Sequence, residues 1–385
     1  MNKIAIIAVT YNRIDSLTRL LKSLENAEYG DERPTLIISI DKSKTDAVEK
    51  FADDYHWPHG ERIVRKHEKN LGLRNHMMSL GEWFEKFDTL IILEDDLVVS
   101  PCFYTYTRQA SDKYMDSKEV CGISLYSFSC NYLTRTSFIP VKNEYDGYFM
   151  NCAMSWGEVW MKPQWNEFHA WYLEHQEFTS EPHLPEIICC WSKSWLKYHT
   201  RYCIETDKYF LHPYVSLTTN YTEQGEHSSE DVSYIFQTTL QQGKKTDFSF
   251  PDSAEEAVCY DGFFENKAIY KSLGLSEEEC CVDINGTKGN RQKRRFWLTS
   301  QKVKLPKVKS FALTYRPVEM GVIDRVEGEE IFLYDTDCTE QKYGVSGVTY
   351  LYTASLESGL SVIRKYGLKN FLKELCNCLL YTSPS

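Results

Sequence analysis

Three consecutive carboxylates, Glu94, Asp95 and Asp96, interrupt the apolar run TLIILEDDLVVSP, residues 89 to 101. Leu90 to Leu93 read as a strand buried on both faces, of the kind found inside a parallel sheet. Adjacent acids repel one another and are costly to desolvate, so the triplet belongs at a strand end, where it can share a cation. Oxygen ligands of this type suit manganese or magnesium, and such an ion often completes its shell with substrate phosphates. Taken alone, the triplet is equally an acidic turn that caps a strand.

The elements around it decide between those readings. Residues 3–9 (KIAIIAV) predict a first strand that ends in the polar turn Thr10, Tyr11, Asn12. Ile14, Leu17, Leu20, Leu21 and Leu24 then recur at helical spacing, with Asp15 and Ser16 as N-terminal caps. A second strand, residues 35–40, stops at Asp41. A helix over 45–55, a short strand at 63–64 and a helix over 72–87, opened by Asn70-Leu71-Gly72, lead to the acidic strand. Alternating strands and helices predict an α/β fold with a mainly parallel sheet, right-handed crossovers and ligands beyond the carboxyl ends of the strands. Three polar sets fall at such ends: Thr10/Tyr11/Asn12, Asp41 and the acidic triplet. Asp41 is placed to accept hydrogen bonds from a base or ribose, and Arg74 to meet a diphosphate. The ordinary alternatives are a turn aspartate and a surface arginine.

Composition narrows the functional classes. With 42% hydrophobic residues the chain can bury a large core, and a net charge of −11 argues against a general nucleic-acid binder. Thirteen cysteines without a regular framework predict free thiols in a reducing cytoplasm and no structural zinc. The N-terminal apolar run is too short for a signal segment, and no stretch has the length of a transmembrane helix, so the expected location is cytoplasmic, with peripheral contact to the inner membrane as an option.

The ordered set VTYNR, SID, NLGLRN and LEDD resembles the GT-A nucleotide-sugar glycosyltransferases over residues 3 to about 230. The segment ILEDDLVVSPCFYTY is especially similar to the eukaryotic N-acetylglucosaminyltransferase I group and its bacterial relatives. The resemblance implies a Rossmann-like GT-A fold, a UDP-sugar donor, a glycan or lipid-linked glycan acceptor, inverting transfer in cell-surface polysaccharide synthesis, and Mn2+ or Mg2+ held by Asp96. It places Thr10, Tyr11, Asn12, Arg13, Asp41, Asn70, Gly72, Arg74, Glu94 and Asp95 around the donor. Residues 102 to 230 are rich in aromatic side chains, which suits a sugar cleft. Within them MSWGEVW resembles an acceptor segment, pointing to Trp156 and Gly157, and His227 in GEHS resembles a histidine close to the metal.

An inverting transfer needs a base on the acceptor hydroxyl. The segment corresponding to the family's W-D-D-W reads Trp191-Ser192-Lys193-Ser194-Trp195 and has no carboxylate. Glu158 is then the first candidate for the base and Glu186 the second. A non-catalytic module that binds sugar or nucleotide sugar is the competing reading.

The expected organisation is a catalytic domain over 1–240, with a donor half to 100 and an acceptor half from 101, and a β-rich region over 241–355. An amphipathic helix over 356–377 carries Arg364, Lys365, Lys369 and Lys373, consistent with membrane contact. Residues 378–385 read as a non-native tail. Strands are predicted at 246–250, 296–299, 310–315 and 330–334. The basic cluster Lys288 to Arg295 and the segment YRPVE carry no assigned chemistry.

Overall fold

The computed structural model describes residues 2–179, 181–192, 194–221, 236–288, 293–313, 316–337 and 346–348. His227, the 356–377 helix and the 378–385 tail lie outside these residues. Two compact units form, one from residues 1–130 and 138–268, the other from 131–137 and 269–385.

The first unit begins with β1 (Ile4–Thr10), α1 (Ile14–Glu25), β2 (Thr35–Ile40), α2 (Ala47–Asp54), β3 (Arg62–Lys66), α3 (Gly72–Ser79), β4 (Thr89–Glu94), β5 (Leu97–Val99), α4 (Phe103–Tyr114) and β6 (Val120–Ser124). It continues through β7 (Gly147–Met150), β8 (Glu158–Met161), α5 (Lys162–Glu174), α6 (Glu186–Cys190), α7 (Leu196–Thr206), β9 (Tyr209–Pro213), β10 (Thr218–Asn220) and β11 (Cys259–Tyr260). Nine strands form one sheet in the order β11-β7-β9-β6-β8-β4-β1-β2-β3. The first four strands pair in parallel, whereas β8 runs antiparallel to β4 and β6, and β7 runs antiparallel to β9. The fold is therefore a mixed α/β sandwich, parallel in the half that ends at the acidic triplet.

Alternation along β1 explains the layers. Ile4, Ile6 and Ala8 pack with Leu17, Leu20, Leu21 and Leu24 of α1, while Ala5, Ile7 and Val9 share the opposite core with Met77, Trp160 and Phe168. A strand covered on both faces has no polar side, which is why its sequence is a continuous apolar run.

Several predicted boundaries move. Asp15 and Ser16 lie inside α1, whose cap position is Arg13 with no side-chain capping bond. The helix predicted over 72–87 ends at Ser79 and continues as a 3-10 turn over Leu80–Glu85. Residues 246–250 form no strand; Phe248 and Phe250 instead set their rings against Tyr106. With β11 paired to β7, these contacts tie residues 241–268 to the first unit, so the packing boundary falls at 268 where composition pointed to 240.

The second unit holds a four-stranded sheet built from Cys280–Asp283, Phe296–Thr299, Ile331–Asp335 and Lys307–Phe311, in that order. Its core includes Ile269, Val282, Leu298, Val322 and Leu333. Among the described residues no helix is long and apolar enough to cross a membrane.

Candidate functional site

β1 and β4 run side by side with Val9 opposite Glu94, so Thr10 and Asp95 leave the sheet together. The Thr10 hydroxyl donates to Asp95 Oδ2 at 2.7 Å, and Arg13, at the mouth of α1, donates to Asp95 Oδ1 and lies 3.4 Å from Asp96 Oδ2. The Asp95 side chain is 4% exposed and that of Asp96 25%, so the two adjacent acids meet different surroundings. Asp95 is absorbed into the joint between the strands. Asp96 stays accessible, and its carbonyl accepts from Tyr221 N at 2.8 Å, where β10 pairs with β5.

Glu94 is partly buried beside both. Burial first, then the charges of Asp96 and Asp95, raise its pKa to about 8, against a hydrogen bond from Ser155 and the charge of Arg13. Asp95 is also raised, by burial before all else, with Arg13 and Thr10 opposing. One guanidinium thus pairs with Asp95 and lies near Asp96. This all-oxygen donor set, crowded and anionic, fits a hard divalent cation. Among the described residues no group of three potential ligands is gathered for a metal, so Asp96 would be the chain's described contribution.

Asp41 works as a fastening. Oδ1 accepts from Lys42 N and Leu71 N, both at 2.8 Å, and Oδ2 accepts from Gly72 N at 2.9 Å. Asn70 Nδ2 adds a bond to the Lys42 carbonyl at 3.0 Å. Gly72, at φ +71°, supplies the left-handed turn that lets two successive amides point at one carboxylate. The start of α3, and with it Arg74, is fixed to the end of β2. Tyr11 is partly buried and Asn12 exposed in the turn that follows Thr10.

Across the sheet, β8 pairs with β4 with Glu158 opposite Ile92, and Ser155, just before β8, reaches Glu94. Trp156 is partly buried, its ring edge-on to Tyr126 at 4.9 Å and 5.6 Å from Phe236. Its carbonyl accepts from the Thr218 hydroxyl at 2.5 Å. Gly157, at φ +91°, makes the bend into β8, and a methyl group there would come within 2.7 Å of Thr218 Cγ2. Trp156 and Gly157 therefore stand beside the acidic strand end.

The expected base does not. Glu158 is fully buried; its Oε1 accepts from Trp160 Nε1 at 2.8 Å and lies 2.7 Å from His199 Nδ1. The sheet register turns its side chain into the layer under α5 and α7. Glu186 is exposed on α6 and makes no hydrogen bond or ion pair among the described residues. In the segment 191–195, Trp195 packs in the core 5.9 Å from Trp160, and the Ser192 carbonyl takes Arg74 Nη2 at 2.6 Å.

Sequence reading set Asp96 apart as the metal ligand but missed that Asp95 is taken up by Thr10 and Arg13, because three like residues in a row carry no sign of which will meet a cation from elsewhere in the chain. The pairing of Arg13 with Asp95 was findable in principle, since Arg13 follows the first strand as directly as the acids follow the fourth.

Residues 5–149 match the family described as glycosyl transferase family 2. The match spans the part of the chain that holds the acidic strand end. Solved structures similar to the chain include S. aureus TarS 1-349 in complex with UDP-GlcNAc, at 15% identity and TM-score 0.35 over 60% of this chain and 62% of that one. A mannosyltransferase from Pyrobaculum calidifontis in complex with GDP-Man and Mn2+ follows at 10% identity and TM-score 0.34, covering 56% and 57%. GalNAc-T7 with UDP, GalNAc and Mn2+ is similar at 12% identity and TM-score 0.38, covering 56% and 43%. The chain thus spans less than two thirds of each. No curated protein matches it significantly.

Proposed function

We propose that the chain is an inverting, metal-dependent glycosyltransferase that moves a sugar from a UDP-sugar to a glycan or lipid-linked acceptor in the synthesis of a cell-surface polysaccharide. The observation that carries this reading is the convergence of Thr10, Arg13, Glu94, Asp95 and Asp96 at the ends of two parallel strands, inside the glycosyltransferase family 2 span. The finer likeness to the N-acetylglucosaminyltransferase I group rests on the motif set alone.

In this reading the chain's residues divide the work. Arg13 and Thr10 neutralise Asp95 and lock β1 to β4, which holds the donor pocket in shape before the nucleotide arrives. Asp41 fixes α3, so that Arg74 meets the diphosphate from a set position. Glu94, with Tyr11 and Asn12 on the facing turn, contacts ribose and sugar, and Trp156 offers its ring to the acceptor. Asp96, together with His227, would hold Mn2+ or Mg2+, which when bound stabilises the charge developing on the departing diphosphate. With Glu158 enclosed, Glu186 is the remaining candidate for the base.

A second reading, a binding module without turnover, is favoured by one observation: no carboxylate stands in the segment 191–195, and Glu158 is enclosed. Titration of UDP and a panel of UDP-sugars by calorimetry, with and without Mn2+, separates the readings when paired with an assay for released UDP. The enzyme binds in a metal-dependent way that Asp96→Ala abolishes, and it releases UDP. Binding indifferent to Asp96→Ala would remove the central claim, and binding without UDP release on any acceptor would favour the module.

A further inference from the structure

Lys197 lies in the first turn of α7 and is only 5% exposed. Its Nζ sits 4.5 Å from the centroid of the Phe178 ring and 5.3 Å from that of Tyr198. The guanidinium of Arg74 packs on the same Tyr198 ring at 5.0 Å. Two cations are thus gathered on one aromatic ring.

Neither has an anionic partner among the described residues. Arg74 gives Nη2 to the Ser192 carbonyl, while its buried Nε has no acceptor. Elsewhere in the same unit, cations with little exposed surface are matched by carboxylates: Arg108 by Glu32, Lys208 by Glu167 and Lys267 by Asp207. Lys197 is more enclosed than these and lacks such a match. Contact with a ring offsets less than an unpaired buried charge costs. Burial, and next the neighbouring Arg74, push the lysine's pKa down from its ordinary value. A dianion placed between the two would satisfy the unused donors and relieve the repulsion.

We propose that Arg74 and Lys197 form an anion site that receives a phosphoryl group of a bound substrate. The sequence singled out Arg74 alone; the fold adds Lys197, which stands 123 positions later in the chain. The inference deepens the nucleotide-sugar reading and rests on it for one of two sources, the donor diphosphate. The other source is a phosphate carried by the acceptor. α3, which carries Arg74, is fastened by Asp41, so the pair is positioned from the donor end of the sheet.

The full chain is titrated by calorimetry, in the presence of Mn2+, with UDP, uridine and glycerol 3-phosphate, for the native sequence, Lys197→Met and Lys197→Arg. Melting curves confirm that each variant folds. The expected result is that Lys197→Met weakens a phosphoryl probe by about tenfold or more, leaves uridine unchanged, and is rescued by Lys197→Arg. Loss on UDP assigns the site to the donor, and loss on glycerol 3-phosphate with UDP unchanged assigns it to the acceptor. If UDP fails to bind the native chain while glycerol 3-phosphate binds through Lys197, the donor reading falls and the anion site stands. Unchanged affinity for both phosphoryl probes in folded Lys197→Met, or no binding of either by the native chain, overturns the proposal.

Discussion

The carboxylate of Glu158 and the imidazole of His199 meet at 2.7 Å inside a layer of aromatic rings, both without meaningful exposure to solvent. The imidazole stacks on Phe168 with centroids 4.0 Å apart, and the Phe210 ring meets it edge-on at 4.8 Å. Trp160 Nε1 also donates to the carboxylate, at 2.8 Å. The pair joins β8 to α7. It ties down the interior strand that follows Ser155 and Trp156.

Breaking this pair should therefore cost stability before it costs chemistry. Glu158→Leu leaves His199 with no counter-group, and about 3 kcal/mol is expected to be lost, the usual scale for removing one member of a buried pair. Adding His199→Phe should recover part of it. Urea denaturation of the two single variants and the double variant measures the coupling. Glu158→Gln should keep its turnover per folded molecule, and a loss of turnover at unchanged stability would restore Glu158 as the base.

Stability should also fall on the acid side. His212 has Nε2 2.9 Å from the Cys152 carbonyl and Nδ1 3.3 Å from the Tyr126 carbonyl, and burial lowers its pKa to about 4. His76, 2.7 Å from the Ser39 hydroxyl, is lowered to about 4 by burial and then by His67. An unfolded chain takes up these protons near pH 6.5, the folded one only near 4, so the stabilisation is complete above 6.5 and is lost as pH falls towards 4. The limit is on the order of 3 kcal/mol for each group. Melting temperatures from pH 7.5 to 4.5 should decline, and His212→Asn should flatten the decline.

Asp41 offers a test of preorganisation. Asp41→Ala removes the acceptor of three backbone amides and should cost about 2 kcal/mol by denaturant titration. UDP affinity should fall with it, because the start of α3 is no longer fixed. An Asp41→Ala protein with native stability and native UDP affinity would show that the fastening is incidental.

The parallel half of the fold was legible because its signals are local. The apolar run at 90–93 can be buried only as an interior strand, and the polar sets at Thr10, Asp41 and Asp95 follow from where such strands must end. Direction was harder to read. The antiparallel entry of β8 between β4 and β6 depends on a bend at Gly157 and on contacts with Thr218, some 60 residues away, which no window around MSWGEVW contains. That reversal decides Glu158: the motif placed it beside the site, and the register turned it inward. The capping assignment at Asp15 and Ser16 failed for a related reason, since Arg13 is held at the helix mouth by Asp95 from another strand, which replaces a local cap with a long-range ion pair.

The bend at Gly157 carries the last prediction. Its φ of +91° suits glycine, and a β-carbon would press on Thr218 Cγ2 at 2.7 Å and on Oγ1 at 3.0 Å. The same Thr218 hydroxyl holds the Trp156 carbonyl, so a displaced threonine releases the loop that presents Trp156. Gly157→Ala should therefore do two things: reduce stability by about 1–3 kcal/mol, and weaken transfer to acceptor more than it weakens UDP binding. The second effect separates the site from the scaffold, because Arg13 and Asp95 are held with Thr10 at the ends of β1 and β4. Acceptor KM, UDP affinity and melting temperature measured on the one variant decide it. Equal loss of donor and acceptor binding would mean that the bend supports the whole site, and no loss of either would mean that Trp156 lies outside it.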